Sequence, residues 1–132
     1  MSEPMGREID FRAWFIYVVP GNGKRMFYEI QRGADGMTFE HFLYDGEDNG
    51  PPSRFIIMQY TGLNDRLGKR IYEGDVVKFL HAKKETVLPV CWGIGGWWAK
   101  GRGWFKDLRE IYNRCEVVGN LYENPELLEA SK

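Results

Sequence analysis

The sequence predicts an all-β fold, mainly antiparallel, finished by short helical turns near the C-terminus. Three observations carry that prediction. Runs of β-branched and aromatic residues recur at strand length, as in Phe55 to Tyr60 and Thr86 to Trp92. Turn residues separate the runs, led by Asn22-Gly23, the strongest short hairpin signal in the chain. Aromatic residues make up 15% of the chain, a share that suits strands, an exposed aromatic surface, or both.

Residues 1–7 read as a disordered lead-in. Ile9 to Val19 forms a strand buried on most of both faces, since Arg12 alone interrupts the apolar run after Asp10. Arg12 could anchor a ligand carboxylate or phosphate. Unpaired buried charges are rare, however, so an internal ion pair or an edge position is the preferred reading. Pro20 to Gly23 turns the chain, and Arg25 to Gln31 returns as the second arm. A turn at Gly33 to Gly36 leads into a short strand over Met37 to Tyr44, with His41 on its polar face. Asp45 to Ser53 is a loop. Its Asp45, Glu47 and Asp48 lack the ordered spacing and closing Glu of an EF-hand, so it reads as a solvated linker.

The next strand, Phe55 to Tyr60, is expected to stop at Thr61-Gly62. Asn64 to Lys69 reverses the chain, with Gly68 free to take a positive φ. Ile71 to Phe79 holds a tight turn or bulge at Gly74-Asp75, after which Val76 and Lys78 face one way and Val77 and Phe79 the other. Glu73 and Asp75 flank that glycine and could bind a cation or do acid/base work. A local turn device, Asp75 bonding its own backbone, is the stronger reading.

Leu80 to Glu85 reads as a charged hairpin loop. Thr86 to Trp92 is a strand in which Pro89 marks an edge or bulge and Cys91 is an inert buried thiol. Gly93 to Lys106 is chemically the most unusual stretch: Trp97, Trp98 and Trp104 alternate with Lys100, Arg102 and Lys106 among five glycines. Aromatic faces stack bases at ~1–3 kcal/mol each while cations hold phosphates, which describes a sequence-tolerant single-strand binder. The same tryptophans could instead line a groove for a protein, or form the core or subunit interface of a hairpin turning at Gly93 to Gly96 and Gly101 to Gly103.

Asp107 to Asn113 makes a helical turn, with Asp107 as N-cap and Leu108, Ile111 and Tyr112 on one face. Asp107 and Glu110 do not form an acid pair, because nothing else converges on them. Glu116 to Tyr122 is the closing strand, with Gly119 at a bulge or a close backbone approach. A last helical turn follows, with Asn124 as N-cap, Pro125 at the first helical position, Glu126 complementing the dipole, and Leu127 and Leu128 facing inward.

Four blocks carry a resemblance. MQYTGL (58–63), GKRIYEGDVV (68–77) and EVVGNLYENPELL (116–128) resemble the YopX-like family of phage and prophage proteins, and IDFRAW (9–14) resembles that family's N-terminal motif. The blocks stand in family order. Within them, Arg12, Trp14, Tyr60, Gly62, Tyr72, Glu73, Gly74, Asp75, Gly119, Asn120, Tyr122 and Pro125 match motif positions and are read as structural. Phe15 departs from the family, which commonly has an acidic residue there, and segments 32–53 and 81–114 carry no motif. The resemblance implies a small all-β protein with an SH3-type barrel, encoded by a phage or integrated element, and it implies no activity. On this reading 1–53 is a β-hairpin region packing on the barrel, 54–132 is the SH3-like barrel region, and the two make one compact domain.

Composition bounds the function. A net charge of −1 over 132 residues supplies no global attraction to nucleic acid or acidic lipid, so any such binding has to come from a local patch. Cys91 and Cys115 are the only cysteines, with no C-x-x-C and only His41 and His81 beside them, so both are expected as free thiols. No stretch approaches the roughly 18 apolar residues that span a bilayer, and the start lacks a signal-peptide pattern, so a protein of the host-cell cytoplasm is expected.

The expected function is a non-enzymatic binding module that recognises a host or phage protein, or a second copy of itself, through Trp97, Trp98, Lys100, Arg102 and Trp104. The alternative is nucleic-acid binding through the same stretch, marked by steep salt dependence. A third reading is an enzyme drawing on Tyr72, Glu73 and Asp75, with Arg12 or His81 brought close by folding. No catalytic residue, cofactor, metal or membrane partner is expected.

Overall fold

Most of the β-branched and aromatic runs become strands, and the exceptions are instructive. The computed structural model describes residues 9–15, 25–33, 38–39 and 55–130. The chain divides into two units, Met1–Gln59 and Tyr60–Lys132.

In the first unit β1 (Phe11–Phe15) lies between β2 (Arg25–Phe27) and the first half of β3 (Phe55–Asn64), antiparallel to both. Ala13 stands opposite Phe27 on one side and Ile57 on the other. Alternation then sends Phe11, Ala13 and Phe15 into a cluster with Phe27, Ile30 and Phe55. Arg12 and Trp14, on the opposite face, are buried as well, so the strand is covered on both faces as its composition requires. Arg12 occupies a central strand and not an edge. Its guanidinium carbon lies 6.0 Å from the centre of the Tyr28 ring.

The returning arm is shorter than expected. It ends at Phe27, Glu29 turns into the left-handed region at φ 51, and Ile30–Arg32 forms a 3-10 turn. Burial explains the change: the turn drives Ile30 wholly into the cluster and lets the Gln31 side chain accept the Phe11 N–H at 2.8 Å. Phe39 has helical backbone where a strand was expected. The rest of that strand with His41, the Asn22-Gly23 turn, the 45–53 loop and the lead-in lie outside the described residues.

In the second unit β3 does not stop at Thr61-Gly62 but runs on to Asn64 and pairs with β4 (Arg70–Tyr72). Gly62, at φ 89, absorbs a register shift between Tyr60 and Asn64, and the Thr61 hydroxyl donates to the Ile71 carbonyl at 2.7 Å. A turn signal has become a bulge. The reversal that follows is built on Asp65, which is buried. One carboxylate oxygen accepts the N–H groups of Leu67 and Lys69 at 2.9 and 2.8 Å, and the other accepts that of Val117 at 2.8 Å.

A five-stranded antiparallel sheet forms the body of this unit, in the order β8-β7-β6-β5-β9. Its strands are β5 (Asp75–His81), β6 (Lys84–Gly93), β7 (Gly96–Lys100), β8 (Phe105–Asp107) and β9 (Glu116–Asn120). The sheet curls into a half-barrel, with a 3-10 turn (Tyr112–Arg114) before the last strand. Four strands in a meander and a fifth returning beside the first is the SH3-type order. Val77, Phe79, Leu88, Val90, Ala99 and Val117 point inward and meet Ile71, Leu108, Ile111 and Cys115.

Strand β6 belongs to two ladders: it pairs with β5 as far as Pro89 and with β7 from Val90. Pro89 therefore sits at the handover inside a central strand, not at an edge, one residue before any β7 partner would need its missing N–H. The hairpin before it is tighter than the sequence suggests. His81 pairs with Lys84, leaving only Ala82 and Lys83 in the turn, both in the left-handed region at φ 52 and 65.

Asp107 caps α1 (Leu108–Ile111) by accepting the Arg109 N–H at 2.9 Å. In α2 (Glu126–Ala130) the Leu127 N–H bonds the Asn124 carbonyl, while the Asn124 side chain turns back to accept the Asn120 N–H at 3.2 Å. A Cβ on Gly119 would lie 2.6 Å from that side chain and 2.7 Å from Leu127, which is the close approach its position implied.

Candidate functional site

The glycine-rich stretch folds into the last two hairpins of the barrel, and strand register decides what each of its side chains can touch. Cys91 pairs with Trp98, Trp98 with Asp107, and Lys100 with Phe105, so Cys91, Gly93, Trp98, Lys100 and Phe105 share one face. Val90, Trp97 and Ala99 alternate to the other face and enter the core or pack against it. The five residues expected to bind as a group are thus divided.

On the first face lies an open trough of about 450 Å³, lined by Cys91, Trp92, Gly93, Ile94, Trp98, Lys100 and Phe105. Trp98 is its floor. The indole's Cδ1–Nε1 edge lies against Gly93, where a Cβ would come within 2.7 Å of the ring, and its N–H donates to the Ile94 carbonyl at 3.2 Å. Phe105 meets it edge-on, ring centres 4.8 Å apart at 78°. Ile94 is 96% exposed and Phe105 60%, so the walls are apolar groups held in water.

Trp97 and Trp104 lie elsewhere. Trp97 packs partly on the core and meets Trp92 edge-on, ring centres 4.8 Å apart. Trp104 also packs against the core and stacks on His81, 4.6 Å between centres and 23° between planes. Arg102 is exposed in the turn between β7 and β8, which the Gly101 N–H closes on the Trp104 carbonyl at 2.9 Å. Of the five sequence-selected residues, Trp98 and Lys100 reach the trough. Cys91, Trp92, Ile94 and Phe105 were missed, although alternation from Trp98 across an antiparallel hairpin would have placed Cys91 beside it.

The thiols differ. Both are free, as expected, but Cys91 is half-buried in the trough wall and not sealed inside an apolar strand. Cys115 is fully buried and donates to the Tyr112 carbonyl. Burial, and then the charge of Asp65, pushes its thiol up to about 11.

The motif residues around Gly74 bind the barrel's own backbone. The Gly74 N–H donates to the Val90 carbonyl and the Gly74 carbonyl accepts from Leu121, both at 2.9 Å, with φ at 89. Asp75 accepts the Tyr72 N–H at 2.7 Å, as its turn role requires. Tyr60 and Tyr72 pack ring to ring, 5.7 Å between centres. The Asn120 side chain accepts the N–H groups of Tyr122 and Glu123. Asp75 and His81 stand at opposite ends of β5, about 20 Å apart at strand rise. Asp107 and Glu110 are engaged separately, by Arg109 at 2.7 Å and by Lys106 at 3.9 Å. Arg109, by its side-chain and backbone hydrogen bonds, lowers the Asp107 carboxyl below its ordinary range.

Among the described residues no group of three or more His, Cys, Asp or Glu could hold a metal ion, and no helix is long and apolar enough to cross a membrane. The fold and this surface define a class: a small β-barrel domain with an open aromatic trough at one side of its sheet. A profile of the YopX protein family matches residues 22–129, and the chain belongs to that family. It is also similar to protein EF1440 from Enterococcus faecalis, seen in its crystal structure, with 21% identity over 93% of this chain and 99% of that one and a TM-score of 0.56. At that identity the likeness speaks for the fold alone. No curated protein matches the sequence.

Proposed function

We propose that the chain is a non-enzymatic accessory module of phage or prophage origin that binds a protein through the β6 to β8 trough. The supporting observation is the trough's make-up. Its volume of about 450 Å³ is that of a ligand pocket, and its floor and walls are Trp98, Phe105, Ile94 and Cys91. Exposed apolar groups gathered round one concavity fit a partner's apolar side chains better than they fit solvent. Lys100 at the rim supplies one charge for orientation.

Peptide display on the intact chain tests this. Selected peptides should carry apolar anchors, slow the reaction of Cys91 with a thiol reagent, and fail to bind a double Ile94→Asp, Phe105→Asp variant whose circular dichroism is unchanged. Selected peptides that bind that variant equally, or leave Cys91 as reactive as before, would refute the trough as the site. Light scattering run in parallel shows whether a second copy is the occupant, which the same variant should then return to monomer.

A further inference from the structure

A second surface, separate from the trough, has the make-up of an anion site. Although the chain as a whole carries a net charge of −1, the span 78–114 holds eight Lys and Arg against three Asp and Glu. Each of those acids is engaged: Glu85 by Lys78, Asp107 by Arg109 and Glu110 by Lys106. Lys83, Lys84, Lys100, Arg102 and Arg114 have no acidic partner among the described residues.

Four of those five gather at one end of the barrel. Lys84 stands directly opposite His81, and Lys83 sits in the two-residue turn between them. Trp104 stacks on His81, which brings the β7 to β8 turn and its exposed Arg102 to the same place. Arg114 donates to the Leu80 carbonyl at 2.9 Å, one residue before His81. Register turns the acid next to Lys84 away: Glu85 pairs with Leu80 on the opposite face of the hairpin from His81 and Lys84.

The aromatic pair gives this patch a shape as well as a sign. Trp104 is held against the core, and the absence of a side chain at Gly101 lets its indole lie close, since a Cβ there would come within 2.8 Å of the ring nitrogen. His81 lies nearly parallel on that indole and is itself exposed, so its outer face is a flat platform backed by a second ring. We propose that this end of the barrel binds single-stranded nucleic acid, a base stacking on His81 while Lys83, Lys84, Arg102 and Arg114 hold phosphates. A flanked, backed ring favours a base over the side chains of an acidic peptide, because every base offers a π-face and successive phosphates match several separated cations. Lys83 in a left-handed turn position that Asn or Gly occupies more easily is consistent with a charge kept there for use.

The test is fluorescence anisotropy of end-labelled oligo-dT and oligo-rU of about 15 nucleotides, titrated with the full chain at two salt concentrations. With four phosphates neutralised, a threefold rise in salt should weaken binding about 20-fold. A Lys83→Gln, Lys84→Gln variant should flatten the logarithmic salt slope by about 1.4. His81→Ala should weaken binding equally at both salts, and His81→Phe should restore it. Melting curves confirm that the variants fold. No binding at the lower salt, or a salt slope untouched by the lysine changes, would overturn the proposal. So would equal displacement by oligoglutamate of the same charge, or full affinity in the folded His81→Ala variant, because binding would then be general to anions. The dT and rU arms separate DNA from RNA as the strand bound.

Discussion

Two regions of the barrel are built to different ends from similar materials. At Asp65, Asp75 and Asn120, the polar groups are buried and pointed at the protein's own backbone: Asp65 takes three N–H groups, Asp75 takes that of Tyr72, and Asn120 takes two more. Along the trough, by contrast, Trp92, Ile94 and Phe105 stand in solvent. Two of the family blocks, 68–77 and 116–128, lie in the first region, and the stretch 81–114, which carries none, holds both proposed surfaces. The lesson is that a sequence signature can record what keeps a fold closed and leave out the surfaces proposed for binding.

Replacing residues in each region sharpens the contrast. The largest effect is expected from Asp65→Ala, which strips the acceptor from three backbone donors and should cost about 3 kcal/mol, read from denaturant midpoints. Gly74→Val follows at about 2 kcal/mol, since a β-branched residue is strained at φ 89. Wild-type midpoints in both variants would show that neither residue keeps the barrel closed.

The smallest effect concerns the thiols. Cys115 ionises less readily folded than unfolded, because its pKa rises from an ordinary value near 9 to about 11. Its contribution to stability is therefore complete below pH 9 and is lost as pH climbs toward 11. Melting temperature should decline over that window, and decline less in Cys115→Ala. In the native protein at neutral pH, a thiol reagent should modify one cysteine, Cys91, and reach the second only in denaturant.

How much was legible depended on whether the signal was local. The Gly68 and Gly74 turns, the Asp107 cap and the Gly119 approach could be read because neighbouring residues fix them. The stop at Thr61-Gly62 was misplaced, since a positive φ serves a bulge as well as a turn, and pairing with Ile71 decides between them. Asp65 looked like one more turn residue, and its bond to Val117 crosses too much sequence to foresee. The trough was half legible. Trp98 and Lys100 stood out by type, while Cys91 and Phe105 joined them only through strand register, and the stack of His81 on Trp104 needed two hairpins folded together.

Gly74 shows how so short a signature can suffice. Its peptide groups reach β6 through Val90 and the segment after β9 through Leu121, entirely by main-chain atoms. Bonds of that kind do not depend on which side chains stand at 90 and 121, although the core separately fixes Val90. Closure at this point rests on one residue without a side chain, and a protein only 21% identical shares the fold.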